Sequence, residues 1–281
     1  MTNVDTECVV AGLGTIVYCN GSAFDKASKV VLKKSDELIS FRDLAYARIV
    51  DAENRGSWKN SSLCTNGSYV KEGSLFVPNS NNKRIWLSDS LVLQKPALAV
   101  KAHKNNVEYV PRNFKVGEYL EQIGKDNYFV LSDTSSIPTN RFGEDARTVW
   151  AFKDQAKDYG LLLDGAGIKA MNIWMYNDNA SHIDSQSGPF ANQLWLHRLD
   201  FSSDIDGDDR DLGDDFRVRG VRRESSAEGA QKNIVQVPSA PSETTYNSKQ
   251  IYSFIDTTLK NVGISGDVKK LIISDLEKKL K

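Results

Sequence analysis

The sequence predicts an α+β protein, and three observations carry that reading. Residues 1 to about 110 hold short β-rich runs broken by polar turns; a helical apolar rhythm appears between Gly143 and Leu162; and short apolar pieces return from Ile168 to Arg223 inside long polar loops. A chain of 281 residues is long enough for one large domain or two modest ones. Its 36 Lys plus Arg balance 37 Asp plus Glu to a formal net charge of -1, and 40% hydrophobic with 26% charged residues is ordinary globular composition. That composition excludes collagen-like, coiled-coil and wholly disordered chains. The charge balance removes the broad basic field that non-specific nucleic-acid binding requires, so no nucleic-acid partner is expected.

In the N-terminal part, Cys8-Val9-Val10, Thr15-Ile16-Val17-Tyr18, Val30-Val31-Leu32 and Leu91-Val92-Leu93 read as strands. Asn20-Gly21, Asn66-Gly67 and Asn79-Ser80-Asn81-Asn82 supply turns, which predicts a β-rich N-terminal scaffold over residues 1–110. Gly12-Leu13-Gly14-Thr15 begins like a dinucleotide loop, but the third glycine is missing and Ile16-Val17-Tyr18 continues as strand, so a hairpin turn is expected. A second domain is expected over 111–223. Within it Ala146, Val149, Trp150, Phe152, Ala156 and Tyr159 recur at three- and four-residue steps, which predicts one amphipathic helix stopped by Gly160.

Residues 224–247 have linker composition, with Glu-Ser-Ser-Ala-Glu-Gly-Ala at the start and Pro-Ser-Ala-Pro-Ser-Glu-Thr-Thr further on. Over 248–281, Ile251, Phe254, Ile255, Leu259 and Val262 make one helical stripe, and Val268, Leu271, Ile272, Leu276 and Leu280 make another, separated by Gly263 and Gly266. The expected C-terminal helical hairpin has two apolar faces to cover, either by folding back on the core or by self-association or attachment to a virion.

No basic segment precedes the short apolar Val9-Val10-Ala11, so a cleaved secretory signal is not expected, and no run of about 18 apolar residues predicts membrane insertion. The three cysteines, Cys8, Cys19 and Cys64, are too few and odd in number for a disulfide scaffold; free thiols are expected, with a Cys8–Cys19 pair as the alternative. Asn-x-Ser sequons at Asn20, Asn60, Asn66 and Asn179 read as chance matches. His103, His182 and His197 lie in different segments, with no metal-binding spacing, and neither a nucleophile elbow nor a P-loop occurs.

Two stretches stand out chemically. The loop Ser203–Asp215 is strongly acidic, and clustered carboxylates repel unless a cation or arginines neutralise them. It lacks the glycine and glutamate positions of an EF-hand, so calcium on Asp204, Asp206 and Asp208 is one reading; solvation, or pairing with Arg210 and the cluster Arg217, Arg219, Arg222 and Arg223, is the other. The second stretch, residues 172–200, concentrates Tyr, Asn, Asp, Ser, His and Trp around short apolar anchors. Aromatic side chains offer rigid contact area and Asn, Ser and Asp adaptable hydrogen bonds, which is the chemistry of antibody-like paratopes. The competing reading is a polar-looped β region with Trp174 and Trp195 in the core.

The order of elements is informative: the helix Gly143–Tyr159, then Gly160-Leu161-Leu162, Ile173-Trp174-Met175-Tyr176-Asn177, Asp200-Phe201, and the ending Gly213-Asp214-Asp215-Phe216-Arg217-Val218-Arg219-Gly220-Val221-Arg222. Over roughly residues 100–223 this resembles the C-type lectin fold of formylglycine-generating enzymes and of the variable proteins of diversity-generating retroelements. The extension after Arg223 makes it most similar to the variable proteins carried by archaeal viruses, although the two residues between Gly213 and Phe216 depart from the usual adjacent Gly-Phe. Formylglycine-generating enzymes use cysteines late in the domain, and none follows Cys64; the iron-binding histidines of sulfoxide-forming relatives are not reproduced; of the sugar-binding lectin motifs only Tyr176-Asn177-Asp178 comes close. The resemblance therefore implies a non-catalytic protein, without a cofactor unless calcium binds. Mutagenesis of template adenines turns Asn codons into Tyr, Ser, Asp and His codons, the mixture found at 172–200.

The expected function is recognition of a protein or other macromolecule through a hypervariable surface. Its expected contacts are Asn172, Tyr176, Asn177, Asp178, Asn179, Ser181, His182, Asn192, Trp195 and His197, with Trp174, Leu199, Phe216 and Val218 as framework. The alternative is a fixed virion or cell-surface protein of the same fold.

Overall fold

The computed structural model describes residues 4–78, 83–105, 109, 114–175, 188–200, 202–207, 212 and 217–223. The expected linker 224–247 and helical hairpin 248–281 lie outside the described residues. The chain opens with a hairpin, β1 (Asp5–Val10) and β2 (Gly14–Cys19), whose turn holds Gly12 at φ 76°, a left-handed conformation in which glycine carries no Cβ penalty. The Gly12-Leu13-Gly14 motif is thus a hairpin turn, as its sequence context predicts. There follow α1 (Phe24–Leu32), β3 (Glu37–Leu38), α2 (Phe41–Asn54), α3 (Ser62–Thr65), β4 (Ser68–Val77), β5 (Lys83–Leu87) and α4 (Pro96–Lys104). Beyond them come α5 (Val116–Ile123), β6 (Tyr128–Leu131), β7 (Ile137–Pro138), α6 (Ala146–Phe152), α7 (Ala156–Gly165) and β8 (Ala170–Met171). The last described elements are β9 (Ile173–Trp174), β10 (Phe190–Leu196), β11 (Ile205–Asp206) and β12 (Val218–Arg222).

Strands from both ends of the sequence enter one sheet, in the order β1-β2-β12-β4-β10-β11-β9, with β3 against β12 and β5 and β6 continuing from β4. Strand β4 lies between β12 and β10, pairing Tyr69 with both Val218 and Trp195. This corrects the expected division at residue 110. Neither side could satisfy its central strand's backbone donors and acceptors without the other, so 1–110 and 111–223 belong to one folded unit.

Alternation along each strand sends successive side chains to opposite faces, and helices cover both. Ile16, Val70, Trp86, Leu194 and Leu196 belong to the core shared with Phe41 and Leu44 of α2, Phe152 of α6, and Tyr159 and Leu163 of α7. Their neighbours Val17, Tyr69, Ile85, Leu87 and Trp195 belong to the core shared with Phe24 and Val31 of α1 and Ala99 and Val100 of α4. The molecule is α+β, and its first hundred residues are less purely β than expected. Val30-Val31-Leu32 ends α1, because Phe24, Ala27 and Val31 form a buried helical stripe that outweighs the β-branched pair. Leu91-Val92-Leu93 lies in a 3-10 turn, Leu91–Gln94, capped by the Ser90 hydroxyl.

The single helix expected over 143–159 is two helices, broken at the 3-10 turn Lys153–Gln155, where Lys153 has φ 53°. Gly160 lies inside α7 rather than ending it. A Cβ there would press on the Thr139 carbonyl and the Phe142 ring, so the glycine serves close packing. No helix among the described residues is long and apolar enough to cross a membrane.

Within β4, Glu72 is buried, and its Oε2 accepts the N–H of Phe41, the first residue of α2, at 3.1 Å. Burial pushes its carboxyl up to about 8. Because that lies above the unfolded value of 4.5, the group's contribution is fully present below pH 4.5 and is lost as pH rises toward 8. Folding stability is expected to decline over pH 5–8 with a limiting slope of about 1.4 kcal/mol per pH unit from this group. Glu72→Gln keeps an acceptor for Phe41 and should flatten that decline in urea denaturation at pH 5, 6.5 and 8; identical slopes in both proteins would remove Glu72 as the cause.

Candidate functional site

Of the expected contacts, Asn172, Asn192, Trp195 and His197 are among the described residues; Tyr176, Asn177, Asp178, Asn179, Ser181 and His182 lie outside them, as does Asp208. The described ones cluster at the β9–β11–β10 end of the sheet. Asp206 of β11 is in register with Trp174 of β9 on one side and Trp195 of β10 on the other. Directly paired residues share a face, so Trp174, Asp206 and Trp195 form a row across three strands, with the two tryptophan backbones about 10 Å apart. The alternate row Ile173, Ile205 and Leu196 is buried core.

Trp195 is 8% exposed. Its indole meets Tyr69 edge to face at 4.9 Å, Tyr69 meets Phe24 likewise at 4.9 Å, and Gly67 leaves room for the ring, since a Cβ there would overlap it. The indole edge reaches a cavity of about 480 Å³ that is also lined by Asn20, Asn66, His197, Arg198 and Arg217. His197 stands edge-on to Trp195 and places Nε2 3.4 Å from Asp206 Oδ2. Arg217 is held by three partners: Nε donates to Asn20 Oδ1 at 2.8 Å, Nη1 donates to Glu7 Oε1 at 2.8 Å, and the guanidinium lies 4.3 Å over the Tyr18 ring. Arg198, roughly half exposed, pairs with Asp200 at 3.2 Å. Guanidinium, imidazole, amide and indole together suit carboxylate, carbonyl and aromatic groups on a ligand's surface.

Asn172 and Asp204 hold Trp174 in place. Asp204 Oδ1 accepts Asn172 N at 2.8 Å, and its Oδ2 accepts Asn172 Nδ2 at 3.3 Å and the Trp174 indole N–H at 2.9 Å. Ser136 donates to Asn172 Oδ1 at 2.6 Å. Buried and accepting three donors, Asp204 serves here as a structural acceptor, and Asp206 faces His197. Among the described residues no three His, Cys, Asp or Glu side chains are grouped to hold a metal ion.

Two further assignments change. Asn192, expected as a solvent-facing contact, is 3% exposed and donates from Nδ2 to the Gly207 carbonyl at 2.8 Å, tying β10 to the strand beside it. Trp174, expected as framework, is 51% exposed. Its flanks Ile173 and Met175 are both buried, so strand alternation across this tripeptide carried the signal that an overall view of apolar anchors missed. Leu199 and Val218 are buried as expected, and Phe216 is outside the described residues.

The three cysteines are free. Burial, with Asp51 and Glu7 nearby, pushes the Cys8 thiol up to about 12, and burial raises Cys19 and Cys64 as well, so none is poised as a thiolate.

The two tryptophans should respond differently to truncation. Trp195→Ala removes a ring packed on Tyr69 and should cost about 3–5 kcal/mol. Trp174→Ala loses one partly buried hydrogen bond and should cost about 1 kcal/mol. Guanidinium denaturation of both variants checks the assignment; equal losses would mean that the two rings are not framework and surface respectively.

No family model matches the sequence, and no curated protein matches it. A solved structure from work on the accommodation of massive sequence variation in Nanoarchaeota by the C-type lectin fold is similar over 76% of this chain and 100% of its own, with 18% sequence identity and a TM-score of 0.51. That likeness supports a C-type-lectin-like fold for this chain and, at such identity, speaks to the fold alone.

Proposed function

We propose that this chain is a non-catalytic binding protein whose C-type-lectin-like scaffold presents a retroelement-diversified surface to a protein or other macromolecular ligand. The observation that carries this reading is the row Trp174, Asp206 and Trp195 beside His197, on strands whose alternate row, Ile173, Ile205 and Leu196, is core. The exposed members beside that row, Trp174 above all, can then be exchanged while the buried ones keep the fold. Trp174 supplies a rigid exposed aromatic, and His197, Arg198 and Arg217 supply polar and cationic contacts at the cavity beside Trp195. Tyr176, Asn177, Asp178, Asn179, Ser181 and His182 follow one residue after Met175 or shortly beyond it in the chain and complete the contact set in this reading. Asn172, Asn192 and Asp204 become fixed framework, and Trp195 a buried anchor whose indole edge reaches the cavity.

The similar structure's association of this fold with massive sequence variation favours the diversified form over a fixed one. The buried, high-pKa thiols agree with a role that is not thiol catalysis. Residues 248–281 would attach the module to a virion or to a second copy.

Sequencing the coding region for residues 165–225 with its genomic surroundings tests the proposal. A nearby template repeat is expected to differ from it mainly at adenines, with differences falling on codons 176–182, 197 and 198 and sparing those of Asn192, Leu199, Asp204 and Val218. Absence of any such repeat would overturn diversification and leave a fixed virion or cell-surface protein. Differences spread equally over the framework codons would overturn the assignment of contacts.

A further inference from the structure

A second surface lies between α1 and α4. Helix α1 turns Phe24, Ala27 and Val31 toward the sheet, which leaves Lys26, Lys29 and Lys33 exposed on its outer side together with Leu32, 45% exposed. Helix α4 buries Ala99 and Val100 and leaves Leu98 53% exposed, and Lys95 stands at its N-terminus. These residues line a groove of about 740 Å³. Leu32, Leu93 and Leu98 line it together with four lysines, against one carboxylate, Asp25, whose Oδ1 is turned away from solvent.

We propose that this groove docks an acidic amphipathic helix of a partner protein. Lys26 on α1 and Lys33, which caps its C-terminus, are seven residues apart, about 10 Å along the axis, and Lys29 lies between them. A partner helix laid along α1 matches that spacing with carboxylates at positions i, i+3 or i+4, and i+7, and places an intervening leucine against Leu32 and Leu98. Four lysines against one carboxylate call for an acidic partner, and the exposed Leu32 and Leu98 among them call for one that also brings an apolar side chain. A nucleic-acid backbone would satisfy the lysines and leave the leucines exposed to water. The surface is formed by α1 and α4, apart from the strands that carry Trp174 and His197, so it offers a second partner site on the same molecule.

The probe is a fluorescein-labelled synthetic helix of about 14 residues carrying glutamates at that spacing around one leucine, titrated with the full chain in fluorescence anisotropy. Saturable binding is expected, weakened about tenfold or more by the triple variant K26E/K29E/K33E and weakened further as salt is raised. Leu32→Ser in the protein, and leucine replaced by serine in the peptide, should each weaken binding about tenfold. All the substituted side chains are exposed, so melting curves should stay unchanged and report that the variants fold. Three results would overturn the proposal: no saturable binding, equal binding of the leucine-free peptide, or lysine-dependent binding of phosphatidylserine vesicles without binding of the peptide.

Discussion

The carboxylate of Glu7 is where the two ends of the described chain meet. It sits on β1 with its side chain almost wholly buried, and it accepts Nε and Nη2 of Arg219 at 2.6 and 2.9 Å and Nη1 of Arg217 at 2.8 Å, both from β12. Arg219 also donates to the carbonyls of Gly67 and Ser62, which brings in the segment that leads to β4. Burial alone would raise Glu7, yet the Arg219 and Arg217 guanidiniums hold it below the usual carboxylate range. A charge that far from water is tolerated only while its partners stay in place, since removing one leaves an unpaired buried ion at about 3–5 kcal/mol. The β1–β2–β12–β4 order is therefore fixed by electrostatics as well as by backbone pairing. The cavity beside Trp195 inherits its rigidity from the same cluster, because Arg217 lines it and Gly67 underlies the indole.

A second buried polar device fixes the other side of the site. Asp204 joins the chain before β9 to the chain before β11, through the Asn172 backbone, the Asn172 amide and the Trp174 indole. Strands β9 and β11 are only two residues long, too short to hold each other by ladder hydrogen bonds alone. The carboxylate supplies the missing restraint and at the same time orients an exposed tryptophan. One buried acid thus does two jobs: it closes a short parallel pairing, and it pre-orders a large aromatic surface, which lowers the entropy lost when that surface is covered.

Much of the architecture was legible in the sequence where local rules decide it. The Gly12 turn followed from a glycine pair leading into Ile16-Val17-Tyr18, and the mixed class followed from the change of apolar period near Gly143. The boundary at 110 failed because composition changes along a chain do not report which strands pair: Tyr69 meets Val218 and Trp195 across long separations that no local pattern encodes. The continuous helix over 143–159 failed because apolar period is blind to a single left-handed residue, Lys153. In the site, residue type suggested surface for Asn192 and core for Trp174, and burial reversed both. An asparagine can be buried wherever a carbonyl such as that of Gly207 takes its amide, and a tryptophan can be exposed wherever its N–H is anchored and its neighbours alternate inward. Of the arginines read as neutralisers of the acidic loop, Arg217 and Arg219 reach Glu7 and Arg223 reaches Glu37 and Asp43, while Arg210 and most of the loop's carboxylates lie outside the described residues.

These assignments together explain how a surface of this kind can change without endangering the fold. The groups that bear stability near the site are the Glu7 cluster, the Asp204 acceptor, the Asn192 tie to Gly207 and the packed Phe24–Tyr69–Trp195 rings, and apart from the partly exposed Arg217 their side chains are buried. Exposed neighbours such as Arg198 make one pairing at the surface, worth a few tenths of a kcal/mol to about one. A domain whose whole margin is about 5–15 kcal/mol can lose several such surface pairings, while it can lose few buried ones. Strand β10 is buried along its whole length, so tolerance to exchange is confined to exposed side chains such as Trp174 on β9 and Arg198 after β10, while Ile173, Ile205 and Leu196 stay in the core. The same division between exposed and buried side chains leaves the α1–α4 groove independent, since its lysines and leucines point outward from helices whose inner faces are already committed to the sheet.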